Sequence, residues 1–147
     1  MGREDLLQAD KSKLILHIDY LEKELPYRSV YEEEVDFKIY HAQRSKRLEV
    51  ERWVESLINA TLDICKIFLT IKEEQIPETS REILFQIGSR IYDREEQAVA
   101  FSELAKIRNT LAHRYLDIRW VDIKRFMQMV PELYPAFINF VKKEMEG

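Results

Sequence analysis

Of the three histidines in the chain, His17, His41 and His113, only the last stands in a setting suited to proton transfer beside an anion. Imidazole titrates near neutrality, which makes it the natural side chain for accepting and returning a proton. His113 lies within a run carrying Lys106, Arg108, Arg114, Arg119, Lys124 and Arg125 against Asp117 and Asp122. In a chain of net charge −4, such a run reads either as a phosphate-binding footprint or as a solvated cluster of helix-end charges. Arg108 precedes His113 by five residues, about 140° around an ideal helix, so the two would not share a face. Their convergence on one phosphate requires either that the helix unwind near His113 or that a second subunit supply the partner group. Spacing alone does not choose.

Nothing else in the chain selects a competing chemistry. His17 and His41 are in no metal-ligand spacing and read as surface or satisfied structural residues. There is no Gly-rich phosphate loop, nucleophile elbow or HExxH sequence, so no metal site and no cofactor are expected. Cys65, the single cysteine, falls in the apolar run LDICKIFL and reads as a buried core residue. The net acidity excludes a uniformly basic nucleic-acid coat but leaves room for one local cleft. The opening MGREDLLQAD lacks a signal-peptide pattern, and Leu6 stands where a myristoylation motif would need Ser or Thr. The most apolar window, Leu57 to Ile71, is interrupted by Asn59, Asp63 and Lys66, so no membrane span is expected and a cytoplasmic location is.

The elements that must position these residues are helices. A chain of 147 residues suits one domain, here taken as 1–147, and 46% apolar with 34% charged residues suits a folded core. Glycines are confined to Gly2, Gly88 and Gly147, which removes the usual hairpin signals. Leu14, Ile18, Leu21 and Leu25 predict a first helix ending before Pro26. The acidic segment Tyr27 to Glu34 reads as a loop or frayed turn. One long helix is expected from Asp36 to Glu74, with Val50, Val54, Leu57, Thr61, Ile64, Phe68 and Ile71 as its apolar stripe and Pro77 beyond it. Thr79 with Glu82 forms a capping-box pattern for a helix carrying Ile83, Leu84 and Ile87, and Asp93 with Glu96 opens a fourth helix through Leu111. The last helix, Trp120 to Lys143, should be kinked or divided at Pro131 and Pro135. The expected fold is all-α, an up-and-down bundle of about five helices.

The stretch Arg108-Asn109-Thr110-Leu111-Ala112-His113-Arg114-Tyr115 resembles the R-x4-H-x-Y motif of the HEPN superfamily, specifically the HepT-like RNase toxins of HEPN–minimal nucleotidyltransferase pairs. Asn109, the polar residue after the arginine, fits that pattern. RLEVERWVESLINATLDIC, Arg47 to Cys65, with Pro77 before a short helix, resembles the same group's long helix. The likeness extends over roughly Asp10 to Val141, the motif being its sharp part.

The resemblance implies a homodimer with two motifs facing each other across a cleft, and metal-independent cleavage of single-stranded RNA by attack of the ribose 2′-OH on the adjacent phosphate. His113 would then move the proton, and Arg108 would supply a fixed cation with paired donors to the transition state. Asn109 would orient the histidine or a phosphate oxygen, or else cap a helix end; Arg114 would touch the RNA backbone, or else be solvated. On composition Tyr115 is a half-buried aromatic at a helix end; by resemblance it is the hydroxyl to which a cognate minimal nucleotidyltransferase antitoxin attaches AMP, placing phosphate where RNA would bind. Asp63, on a polar line with Glu51, Glu55 and Asn59, either holds Arg108 or is solvated. The alternative is a non-catalytic HEPN domain that binds a nucleotide or docks a nucleotidyltransferase. No DNA partner is expected.

Overall fold

The computed structural model describes residues 2–146, which form eight helices and no strand. They are α1 (Arg3–Glu24), α2 (Tyr27–Glu34), α3 (Phe37–Ala42), α4 (Arg44–Ile71), α5 (Ser80–Ile91), α6 (Glu95–Ser102), α7 (Leu104–His113) and α8 (Leu116–Glu146). The central element is α4, which packs against α1, α3, α5, α7 and α8. Its expected stripe is the core: Val50, Val54, Leu57, Thr61, Ile64 and Phe68 are buried, with Ile71 half-buried at the end. Tyr92, Phe101, Phe137, Tyr134, Phe126 and Trp53 continue the core as a chain of ring contacts with centroids 5.2 to 6.1 Å apart.

The all-α expectation is met, and the extra helices arise where long segments are broken or polar ones fold. The acidic Tyr27 to Glu34 segment is helix α2, not a loop. Pro26 opens it at φ −61°, Arg28 pairs with Glu32 one turn on at 3.1 Å, and Tyr31 packs on Trp53. The helix expected from Asp36 divides at Gln43, whose backbone is extended at φ −111° and ψ 99°. Carbonyls at the end of α3 would then lack partners, but Arg47 Nη1 donates to Tyr40 O at 3.0 Å and to His41 O at 3.2 Å. An arginine one turn into α4 thus makes the corner tolerable. At the other end α4 closes on Glu73, at φ 59°, with Glu74 N–H on Leu69 O and Glu73 N–H on Thr70 O.

Thr79 caps α5 as expected, its hydroxyl accepting from Glu82 N–H at 3.2 Å. Asp93 does not open the next helix; Arg94 takes the capping position and α6 begins at Glu95. The expected fourth helix is in fact α6 and α7, separated at Glu103, whose N–H is shared between Val99 O and Ala100 O.

The last helix begins four residues earlier than expected and runs through both prolines undivided. Pro131 has no N–H for the carbonyl of Met127, and Arg28 Nε from α2 supplies that hydrogen bond at 2.6 Å. Tyr92 adds a donor to the Leu133 carbonyl at 2.7 Å. Side chains from other elements therefore serve the proline-containing stretch. No helix is long and apolar enough to cross a membrane among the described residues.

Candidate active site

Arg108 lies in the middle of α7, half-buried, and its side chain reaches across to two other helices. Nη1 donates to Asn59 Oδ1 of α4 at 3.3 Å, and Nη2 to Ser80 Oγ, the first residue of α5, at 3.2 Å. Both acceptors are neutral, and among the described residues no carboxylate pairs with Arg108. Two of the five guanidinium N–H groups are used, so an anion would meet an undiminished charge and free donors. Ile107 and Leu111 anchor the buried face of α7 and so fix where Arg108 emerges.

His113 is the last residue of α7 and is exposed. The helix is intact up to it, and the chain turns away only at Arg114, at φ −110° and ψ 167°. The helix therefore does not unwind to bring the histidine round, and the two side chains keep an angular separation of about 140°. Asn109 is exposed within the body of α7, four residues before its end, so it is not a helix-end cap. Arg114 is exposed. Tyr115 is 87% exposed, not half-buried, and its carbonyl accepts from Arg119 N–H at 3.0 Å as α8 begins.

The basic run is smaller in space than in sequence. Arg119 is paired with Glu51 and Arg125 with Glu103, while Lys124 lies 5.7 Å from the centre of the Trp120 ring. Lys106, Arg108, Arg114 and Lys124 are left without a carboxylate among the described residues. The polar line on α4 also separates by role. Glu51 is 8% exposed and buried in a network, Asn59 takes the arginine, and Glu55 and Asp63 are exposed. Asn59, not Asp63, holds Arg108.

The network around Glu51 braces the segment that follows the motif. Glu51 accepts from Arg119 Nη1 at 3.0 Å and from the buried Tyr40 hydroxyl, whose pKa is pushed up by burial and by the neighbouring carboxylate. His41 Nε2 meets Asp117 Oδ1 at 2.6 Å and His41 Nδ1 meets Phe37 O at 2.8 Å. That is the satisfied structural histidine expected of it. Together these ties bind the first turn of α8, directly after Tyr115, to α3 and α4. Sequence reasoning did not find Ser80, whose only signal was its place beside the Thr79 cap. It also missed the pairing of Glu51 with Arg119, 68 residues away.

Exposed apolar side chains lie beside the motif. Tyr115 precedes α8, Ile118 and Val121 follow on it at three-residue steps, and Phe37 stands against Trp120 with ring centroids 6.3 Å apart. The described residues hold no group of His, Cys, Asp and Glu arranged to bind a metal ion.

No curated protein and no solved structure matches the chain. The family model described as Ribonuclease HepT-like matches residues 18–144, which runs from Ile18 on the buried face of α1 to the last turn of α8. That span includes Asn59, Ser80 and the entire Arg108 to Tyr115 stretch, so the motif, the residues that hold its arginine and the bundle that carries them all fall within one HEPN-superfamily family of ribonucleases: the chain belongs to the ribonuclease HepT-like family.

Proposed function

We propose that this chain is a metal-independent endoribonuclease toxin of a toxin–antitoxin pair, acting as a homodimer with Arg108 and His113 as its catalytic residues. The observation that carries the proposal is Arg108 itself: a half-buried guanidinium held by neutral oxygens, inside the matched family span, with a free histidine one and a half turns further on. In the dimer two α7 ends face each other, so that the arginine of one copy and the histidine of the other flank the same phosphate. The intact helix up to His113 and the exposed apolar Ile118 and Val121 near it both favour that arrangement over a site built in one copy.

In this site His113 accepts the proton of the ribose 2′-OH. The 2′ oxygen bonds to phosphorus, the bond to the 5′ oxygen breaks, and that oxygen takes up a proton. Arg108 stabilises the extra negative charge on the phosphorane-like transition state. Arg114 contacts the RNA backbone, and Asn109 orients the histidine or a phosphate oxygen. Tyr115, with its phenol in solvent, is the acceptor for AMP from a cognate minimal nucleotidyltransferase, whose added phosphate would occupy the anion site.

The test is expression of the parent and of His113→Ala in bacteria, with sequencing of RNA ends. Growth arrest by the parent alone, with fragments ending in cyclic phosphate and cleavage undiminished by a chelator in vitro, is the expected result. Equal harmlessness of both, with the chain still binding a nucleotidyltransferase, would turn the assignment to a docking subunit.

A further inference from the structure

We infer that Asn59 and Ser80 are positioning residues for Arg108, and that their neutrality is what the site requires of them; the inference rests on the ribonuclease reading above. Of the other half-buried arginines, Arg28 is held by Glu32 and Arg119 by Glu51, while Arg47 serves the backbone carbonyls of Tyr40 and His41. Arg108 is held by an amide oxygen at 3.3 Å and a hydroxyl at 3.2 Å, projected from different helices. Two acceptors on separate elements fix both the reach and the plane of the guanidinium, which a single partner on α4 would leave free to swing.

A carboxylate in either place would hold the arginine more strongly. It would also cancel the charge that an RNA phosphate has to meet, and would set a like charge against that phosphate at close range. Asp63 is only one turn from Asn59 along the same line of α4, and both are exposed, yet the amide is the group in contact. The arginine's setting therefore combines rigidity with an uncompensated cation, an arrangement that favours transition-state stabilisation over ground-state pairing.

The experiment uses the full-length chain, a fluorescent single-stranded RNA of mixed sequence, separate kcat and KM values, and thermal unfolding of each variant. Asn59→Asp places a carboxylate at nearly the same position in nearly the same volume. Its kcat is expected to fall by about 10-fold or more, while its melting temperature equals or exceeds the parent's. Asn59→Ala and Ser80→Ala loosen the guanidinium and lower kcat by roughly 3- to 10-fold with little change in KM. Ser80→Thr, which keeps the hydroxyl, recovers most of the rate lost in Ser80→Ala. Cleavage by Asn59→Asp at the parent's rate, or rate losses across the set that simply follow melting temperature, would overturn the inference and leave the ribonuclease reading standing. A parent that cuts no RNA would remove both.

Discussion

At the scale of single residues, the proposed site would depend on one cation and one proton carrier with different demands. Arg108→Lys keeps the charge but loses the paired donors, and cannot span Asn59 and Ser80 together. Its cleavage rate is expected to fall by about 100-fold, measured on single-stranded RNA, with retention of the fold by circular dichroism. His113→Ala should be at least as damaging to cleavage, yet close to neutral for stability, within about 0.5 kcal/mol, because His113 is exposed and holds nothing in place. Tyr115→Phe should leave cleavage intact and abolish AMP transfer by the partner enzyme; label remaining on that variant would reject Tyr115 as the acceptor. The motif residues were legible in the sequence because type and spacing are local information. Ser80 was not, since a serine after a capping threonine looks like any other helix start, and only the fold brings it to Arg108. The polar line on α4 was visible too, but its division into a buried brace at Glu51 and an arginine holder at Asn59 depends on what α7 and α8 place opposite it.

At the scale of elements, the hydrophobic stripes of α1, α4 and α5 were plain from periodicity, and two of the misplaced boundaries depend on an arginine that serves backbone carbonyls. The corner at Gln43 rests on Arg47 in the next turn, and the continuity of α8 on Arg28, 99 residues from its acceptor. Apolar periodicity reports neither hydrogen bond. The prediction that belongs here is a double-mutant cycle. Arg28→Ala alone should cost roughly 2 kcal/mol by denaturant unfolding, since it strands the Met127 carbonyl and frees Glu32. Pro131→Ala restores a backbone donor to that carbonyl, so the double variant should be less destabilised than the sum of the single ones. Strict additivity would mean that Arg28 stabilises α8 in some other way. The contact between α5 and α6 is equally specific: a Cβ at Gly88 would stand 3.2 Å from Ala98 Cα, so Gly88→Ala should destabilise by about 1–2 kcal/mol in spite of alanine's better helix propensity.

At the scale of the whole molecule, the proposed site is shared between two copies of the bundle. A dimeric site makes a quantitative prediction that a site within one chain does not. Arg108→Ala and His113→Ala are each inactive alone, but mixed and allowed to exchange subunits they should recover about a quarter of the parent's activity, because half the dimers are mixed and each holds one intact arginine–histidine pair. No recovery, with exchange shown by mass spectrometry, would place both groups in one chain. Replacing Val121 by aspartate should shift the chain toward monomer in analytical ultracentrifugation and lower cleavage in parallel, as Val121 is 63% exposed in the single copy.

The hydrogen bond from Arg28 to Met127 also bears on the order in which the chain becomes native. Its two ends are 99 residues apart, and it supplies what α8 lacks at Pro131. During synthesis α2 leaves the ribosome long before its acceptor exists, so the final helix completes its hydrogen bonding only by closing back on the beginning of the chain. Such a long-range contact forms after the local helices have nucleated. Arg28→Ala should then speed unfolding much more than it slows refolding, and a nascent chain halted before Met127 would have the motif and no acceptor for Arg28.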